Sequence, residues 1–263
     1  MANVNGININ YSVWGQGDPL IVIMGLGSAK IRWGFQLGPF RKYYRTITFD
    51  NRGVGKSDKP TGPYTIKMMA DDVIGLMDHL GIEKAHILGG SMGGMIAQEL
   101  AINHPERVNK LVLACTFARR DEMSGFSPEV NKAIEAYEKS SRDEASLRRF
   151  SSVTMSLSFN KWYYRVFIGA LLKIAIRFIT LTGIIAQFEA LLAHDAADKL
   201  RMIKASTLVI TGTEDRVIKP ISSEVIAGLV PNAKLVKVLG GGHNFPEEMR
   251  GEFNREVLDF LRN

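Results

Sequence analysis

Apolar and polar residues alternate across residues 7–13, where Ile7, Ile9, Tyr11 and Val13 share one face, the pattern of a strand half buried and half wet. Asn5-Gly6 precedes it and suits a two-residue hairpin turn back to a first strand at residues 2–4. Residues 20–24 are instead an unbroken apolar run, the mark of a strand buried on both faces of a parallel sheet. Residues 45–49 predict another short strand. Residues 64–80 carry Ile66, Met69, Val73, Leu76, Met77 and Leu80 at helical spacing and stop at Gly81. A strand ending at Gly89-Gly90, a helical pattern from Met95 and a strand over 107–114 continue the alternation. From Phe117 to about Lys199 the pattern is mainly helical. Strands at 207–211 and 234–238 then return, with helices near 222–229 and 246–261. Such alternation implies right-handed β-α-β units. The expected fold is α/β, a mostly parallel central sheet with helices on both faces. Its core domain would span 1–116 and 200–263, interrupted by a helical cap at 117–199.

Composition narrows the function classes. A chain of 263 residues can bury one substantial core, and 46% hydrophobic with 23% charged residues suits an ordinary globular protein. Basic residues exceed acidic ones by six, yet they form no compact cluster with interleaved aromatics, so no nucleic-acid partner is expected. The single cysteine, Cys115, permits no internal disulfide and ends an apolar run, as a small core residue would. The first ten residues lack a signal peptide's charged start and apolar middle, and no uncharged apolar stretch is long enough to span a bilayer. The expected compartment is the cytoplasm.

The chemistry gathers around Gly89-Gly90-Ser91-Met92-Gly93. A strand that becomes a helix within a few residues needs glycines where side chains would collide, and G-x-S-x-G is the pattern that holds a serine hydroxyl above the sheet edge. The following helix aims its free N–H groups at that position. A serine nucleophile requires a base. Of five histidines, His79 lies within a helix, His86 within the strand leading to the serine, His104 at the far end of the next helix and His194 in the insertion. His243, in Gly240-Gly241-Gly242-His243-Asn244, directly follows the last strand. Loops at the carboxyl ends of parallel strands line a common crevice, so His243 is the expected base.

The imidazole needs a carboxylate behind it. Gly212-Thr213-Glu214-Asp215 follows the strand at 207–211 and favours Asp215, since aspartate tolerates a tight turn; Glu214 is its immediate competitor. Asp121 or Glu122, after the preceding strand, is the other placement. Expected oxyanion donors are the N–H groups of Met92, next to the serine, and Leu26 in Gly25-Leu26-Gly27.

With these residues placed, the chain resembles the α/β-hydrolase fold superfamily. The resemblance covers about residues 20–116 and 206 onward. It rests on Asp50-Asn51-Arg52-Gly53-x-Gly55-x-Ser57, Gly90-Ser91-Met92-Gly93-Gly94, His104-Pro105-Glu106-Arg107-Val108 and Gly212-Thr213-Glu214-Asp215. It implies that Asp50 and Arg52 brace the loop beside the active site. Many relatives carry His-Gly at the oxyanion loop where Met24-Gly25 stands here, which keeps the backbone donor and loses a polar side chain. Ser91 argues against the dehalogenases and epoxide hydrolases, which would carry aspartate there. The Ser-Met-Gly-Gly turn with a helical cap is similar to carboxylesterases, enol-lactone hydrolases and C–C bond hydrolases.

Residues 145–188 contain Arg148, Arg149, Lys161, Arg165, Lys173 and Arg177, no acidic residue, and an aromatic set including Trp162, Tyr163, Phe167 and Phe178. Two readings of this segment stay open. Its apolar side covers the active site while the cations face water, or its cations rest on an anionic membrane surface or draw in carboxylate substrates. The first gives an apolar pocket in which Gly25, Trp162 and Phe167 contact substrate. The expected activity is hydrolysis of a carboxylic ester or lactone through an acyl-enzyme on Ser91, with no metal or organic cofactor. C–C hydrolysis of a diketone-like substrate by the same residues and a non-catalytic ligand receptor are the alternatives.

Overall fold

The computed structural model describes residues 1–121, 123–162, 164 and 181–263. The chain begins with β1 (Ala2–Val4), β2 (Ile7–Ile9), β3 (Tyr11–Trp14), β4 (Pro19–Ile23), α1 (Gly34–Phe40), β5 (Arg45–Phe49) and α2 (Ile66–His79). It continues through β6 (Ala85–Gly90), α3 (Met92–Asn103) and β7 (Val108–Ala114) to, among the described residues, the helices α4 (Pro128–Glu138), α5 (Glu144–Leu157) and α6 (Thr182–Leu192). It closes with β8 (Ser206–Gly212), α7 (Ile221–Leu229), β9 (Lys234–Val238), α8 (Phe245–Glu248) and α9 (Arg250–Arg262). Seven strands form one sheet in the order β3-β5-β4-β6-β7-β8-β9, parallel throughout except for β3 against β5. The connection from β5 to β6 jumps back across β4, so the direction of winding reverses between β4 and β6. That switch point is where the loops beyond two neighbouring strands part and leave a crevice.

Both faces of the sheet are covered, and strand alternation sorts the residues between them. Ile21, Ile23, Ile87, Leu111 and Val209 pack with α2 and α3, while Leu20, Val22, Leu88, Val112 and Leu208 pack with Phe40, Phe253 and Val257 on the other side. Residues 7–13 do not make one strand. Asn10 divides them: its Nδ2 donates to Asp50 Oδ2 (2.7 Å) and its N–H to Ser57 Oγ (2.9 Å), so β2 pairs with β1 and β3 joins the main sheet. Period-two alternation is the same in either sheet and carries no sign of this break. The terminal helix likewise starts early, at Phe245, and is interrupted at Met249 (φ −122°, ψ 39°). Helix α1 gave no sequence signal, because Gly34, Gly38 and Pro39 are all poor helix formers. No helix among the described residues is long and apolar enough to cross a membrane.

Candidate active site

Strand β6 passes into α3 through Ser91 alone, which takes φ 55° and ψ −124°. This left-handed conformation is strained for a residue with a Cβ. Three hydrogen bonds hold it: Ser91 N–H to the Ala114 carbonyl (2.9 Å), and the Ser91 carbonyl from Gly94 N–H (2.8 Å) and Thr116 Oγ1 (2.8 Å). The approach is also too close for side chains at the flanking glycines. A Cβ at Gly93 would strike the Ile23 carbonyl and lie 2.8 Å from the Met24 carbonyl.

His243 sits in the loop between β9 and α8, with its Nε2 3.2 Å from Ser91 Oγ and its Nδ1 2.8 Å from Asp215 Oδ2. Asp215, in the loop after β8, has a side chain with no solvent exposure. Its other oxygen, Oδ1, accepts the N–H groups of Val217 (2.8 Å) and Ile218 (2.9 Å). The carboxylate is therefore an acceptor on both oxygens, which places the imidazole proton on Nδ1 and leaves Nε2 free to accept from the serine hydroxyl. Glu214 turns the other way, toward Asn160 Nδ2 (3.2 Å). Asp121 accepts the N–H groups of Ser124 (2.7 Å) and Met123 (3.0 Å) in its own turn, and these bonds hold its carboxyl below the usual carboxylate range. Glu122 lies outside the described residues.

The remaining histidines are engaged elsewhere. His86 is buried edge-on to Tyr44, which pushes its imidazolium form down in pKa. His104 lies 3.5 Å from Asp71, and His79 reaches Tyr11 (3.4 Å). His194, with Nδ1 3.8 Å from Glu99, is lowered to about 4 by burial.

The loop after β4 lies against the serine: a Cβ at Gly25 would sit 3.1 Å from Ser91 Cβ. Met92 opens α3, so its N–H precedes the first intrahelical bond. Neither that N–H nor that of Leu26 has a partner among the described residues. Asp50 braces this region as the motif implied, accepting the N–H groups of Lys30 (2.7 Å) and Lys56 (3.0 Å), while Arg52 forms a buried ion pair with Asp72.

Above the serine lies a cavity of about 630 Å³. Met24, Gly25, Leu26, Ser91 and His243 line it from the sheet side, Phe150 and Thr154 from α5, and Leu181, Ile184 and Leu191 from the segment containing α6. Trp162 is a correction to the sequence reading. It is 70% exposed and absent from the described lining. The chain at the end of α5 is tied to the histidine loop, with Asn244 N–H on the Ser158 carbonyl (2.9 Å) and Lys161 N–H on Glu248 Oε1 (2.8 Å), and Trp162 is left on the outer side. Phe126, Phe150 and Trp33 supply aromatic surface instead. Phe167 lies outside the described residues, as do Tyr163, Arg165, Lys173, Arg177 and Phe178.

Two residues that sequence reasoning missed hold the site's loops from the helical segment. Asn160 Nδ2 reaches the Gly240 carbonyl (3.2 Å), and Gln187 bonds the loops after β4 and β5. The one signal for Gln187 was a carboxamide in an otherwise apolar stretch. Among the described residues, no group of three His, Cys, Asp or Glu side chains converges to hold a metal ion.

A strained serine at a strand-to-helix turn after β6, followed through hydrogen bonds by an imidazole on the loop after β9 and a carboxylate on the loop after β8, defines the α/β-hydrolase class of architecture. The family model for the alpha/beta hydrolase fold matches residues 18–248, and the chain belongs to that family. It is 29% identical, over 98% of its length and 97% of the relative's, to a Caulobacter segnis protein whose name gives it, provisionally, as the carbamate hydrolase RutD. Among solved structures, the enol-lactonase from Burkholderia xenovorans LB400 matches with a TM-score of 0.85 and 29% identity, covering 100% of this chain and 99% of that one. The meta-cleavage product hydrolase from Pseudomonas fluorescens IP01 matches at 0.83 and 26%, covering 99% and 96%. These three relatives carry the names of hydrolases or a lactonase.

Proposed function

We propose that this protein is a serine hydrolase that cleaves a carboxylic ester or lactone. The observation that carries the proposal is the unbroken row from Ser91 Oγ through His243 to Asp215, opening into a largely apolar cavity. Ser91 Oγ attacks the carbonyl carbon while His243 Nε2 takes its proton and delivers it to the leaving oxygen. Asp215 holds the Nδ1–H, which orients the ring and stabilises the imidazolium that forms. The N–H groups of Leu26 and Met92 receive the oxyanion, each worth about a hundred- to thousand-fold in rate. Water then hydrolyses the acyl-enzyme by the reverse proton path. A cavity of about 630 Å³ suits a small acyl chain or lactone ring.

Purified protein mixed with p-nitrophenyl butyrate is expected to release a burst of p-nitrophenol equal to the active sites, and Ser91→Ala to abolish it. Absence of turnover across a panel of esters and lactones would overturn the proposal. A second reading is C–C bond hydrolysis of a diketone-like substrate by the same residues, supported by the likeness to the meta-cleavage product hydrolase. Comparing kcat/KM on esters, lactones, a carbamate and a diketone separates the two.

A further inference from the structure

We propose that Gln187, on α6, is a positioning residue that aims the Leu26 N–H at the oxyanion; this rests on the serine-hydrolase reading above. Gln187 has no solvent exposure, and a buried carboxamide must bond at both ends. It does so with the backbone of two loops: Oε1 accepts the Gly27 N–H (3.0 Å), and Nε2 donates to the Arg52 carbonyl (2.6 Å).

The first of these bonds pins the peptide unit that follows Leu26. A peptide is planar, so its N–H and carbonyl move together. Gln187 holds the N–H end at Gly27. Ser28 Oγ donates to the carbonyl end at Leu26 (3.3 Å) and itself receives Arg32 Nη1 (3.1 Å). The Leu26 N–H itself belongs to the preceding peptide, whose Gly25 carbonyl accepts the Ser28 N–H (3.3 Å), so the peptide planes on both sides of Leu26 are held and its N–H keeps one direction.

The rest of α6 is built for the same docking. A Cβ at Gly27 would touch Ile184 at 3.4 Å, and one at Gly53 would lie 2.8 Å from the Gly183 carbonyl, so the helix seats against both loops. Ile184 lines the cavity, whereas Gln187 is absent from its described lining. Gln187 therefore acts through Leu26. The same helix that walls the substrate cavity thereby sets the oxyanion donor.

The test is Gln187→Met, which keeps the length and removes both bonds, assayed beside Val257→Ala, a core truncation on the other face of the sheet. Removing an oxyanion donor costs about a hundred- to thousand-fold, so a misaimed one should lower kcat by roughly ten- to a hundred-fold, with KM within about twofold. Binding of a trifluoromethyl ketone, which forms an oxyanion adduct on the serine, should weaken by the same factor. The corresponding alcohol, which cannot form the adduct, should bind as before. Val257→Ala should lower Tm without this pattern. Unchanged kcat in Gln187→Met, or equal weakening of ketone and alcohol, would overturn the proposal while leaving the hydrolase reading intact. If the wild-type protein turns over no ester and forms no ketone adduct, the hydrolase reading fails and takes this proposal with it. Should Gln187→Met not fold, Ser28→Ala frees the other end of the same peptide. It should show the same kcat-specific, ketone-specific loss, and its absence would overturn the proposal.

Discussion

Asp215→Asn is a near-isosteric change whose effect follows from how the two carboxylate oxygens are committed. Oδ1 accepts two backbone N–H groups, and Oδ2 accepts the proton of His243 Nδ1. An asparagine has one oxygen for these three donors. If its oxygen stays with Val217 and Ile218, its NH2 faces His243 and forces the proton onto Nε2, where the ring can no longer accept from Ser91. If the amide flips, the NH2 meets two backbone donors, and two hydrogen bonds are lost at about 1–1.5 kcal/mol each, with repulsion added. At 1.36 kcal/mol per decade, the productive flip is then populated in about one molecule in a hundred or fewer. Expected kcat on p-nitrophenyl butyrate falls between about a hundred- and ten-thousand-fold, the larger figure being typical of a wrong-tautomer histidine. KM should stay within a few-fold, since Asp215 does not line the cavity among the described residues. Thermal unfolding should shift little. Glu214→Gln, whose side chain faces Asn160, should retain kcat within about twofold, as a surface change would. An Asp215→Asn enzyme within tenfold of wild type, or an equal loss in Glu214→Gln, would refute the reasoning.

The remaining predictions concern the turn and the buried groups beside it. Gly93→Ala should abolish folding or sharply lower Tm, because the new Cβ meets the backbone carbonyls of β4 and its following loop, whereas Gly251→Ala, with open space at a helical position, should raise stability by about 0.5–1 kcal/mol; equal Tm values would contradict the geometry. His194 has its folded-state pKa lowered from 6.5 to about 4 by burial, with the neighbouring carboxylate of Asp195 opposing only in part. Between those values the unfolded chain binds more protons, so stability is full above about pH 6.5 and declines by up to about 3 kcal/mol as pH falls toward 4. Urea titrations at pH 7 and pH 4.5 should show a difference that shrinks in His194→Gln, and an unchanged difference would count against the assignment. Burial and the nearby Asp215 carboxylate push the Cys115 thiol far up in pKa, so iodoacetamide should label it slowly at pH 8 in the folded protein and rapidly in urea. Rapid labelling without denaturant would be the contrary result.

Local pattern carried a good deal of this protein. Parallel strands appear as unbroken apolar runs because both faces are covered, and the residues that follow them reach one rim because all parallel strands end on the same side. Hence Ser91, Asp215 and His243 could each be placed from the strand before them. Glycines around Ser91 were readable because only a missing Cβ permits that approach of α3 to β4. Other features escaped for reasons equally physical. Asn10 ends a strand through hydrogen bonds to Asp50 and Ser57, far along the chain, and alternation is blind to them. Trp162 looked like pocket lining by its chemistry, but its direction depends on where α5 stops and how Ser158 and Lys161 meet the histidine loop.

Taken by itself, then, the amino-acid order determined the α/β architecture, the glycine-flanked serine turn, and that Ser91, His243 and Asp215 reach one rim, since each follows from short-range periodicity, glycine sterics and the shared direction of parallel strands. Only the tertiary structure decided which carboxylate oxygen faces the imidazole, which side chains wall the cavity, and that a glutamine about 160 residues downstream grips Gly27. Those are contacts between segments that adjoin only after the sheet has wound in both directions from β4, and no local pattern encodes the angle at which they meet.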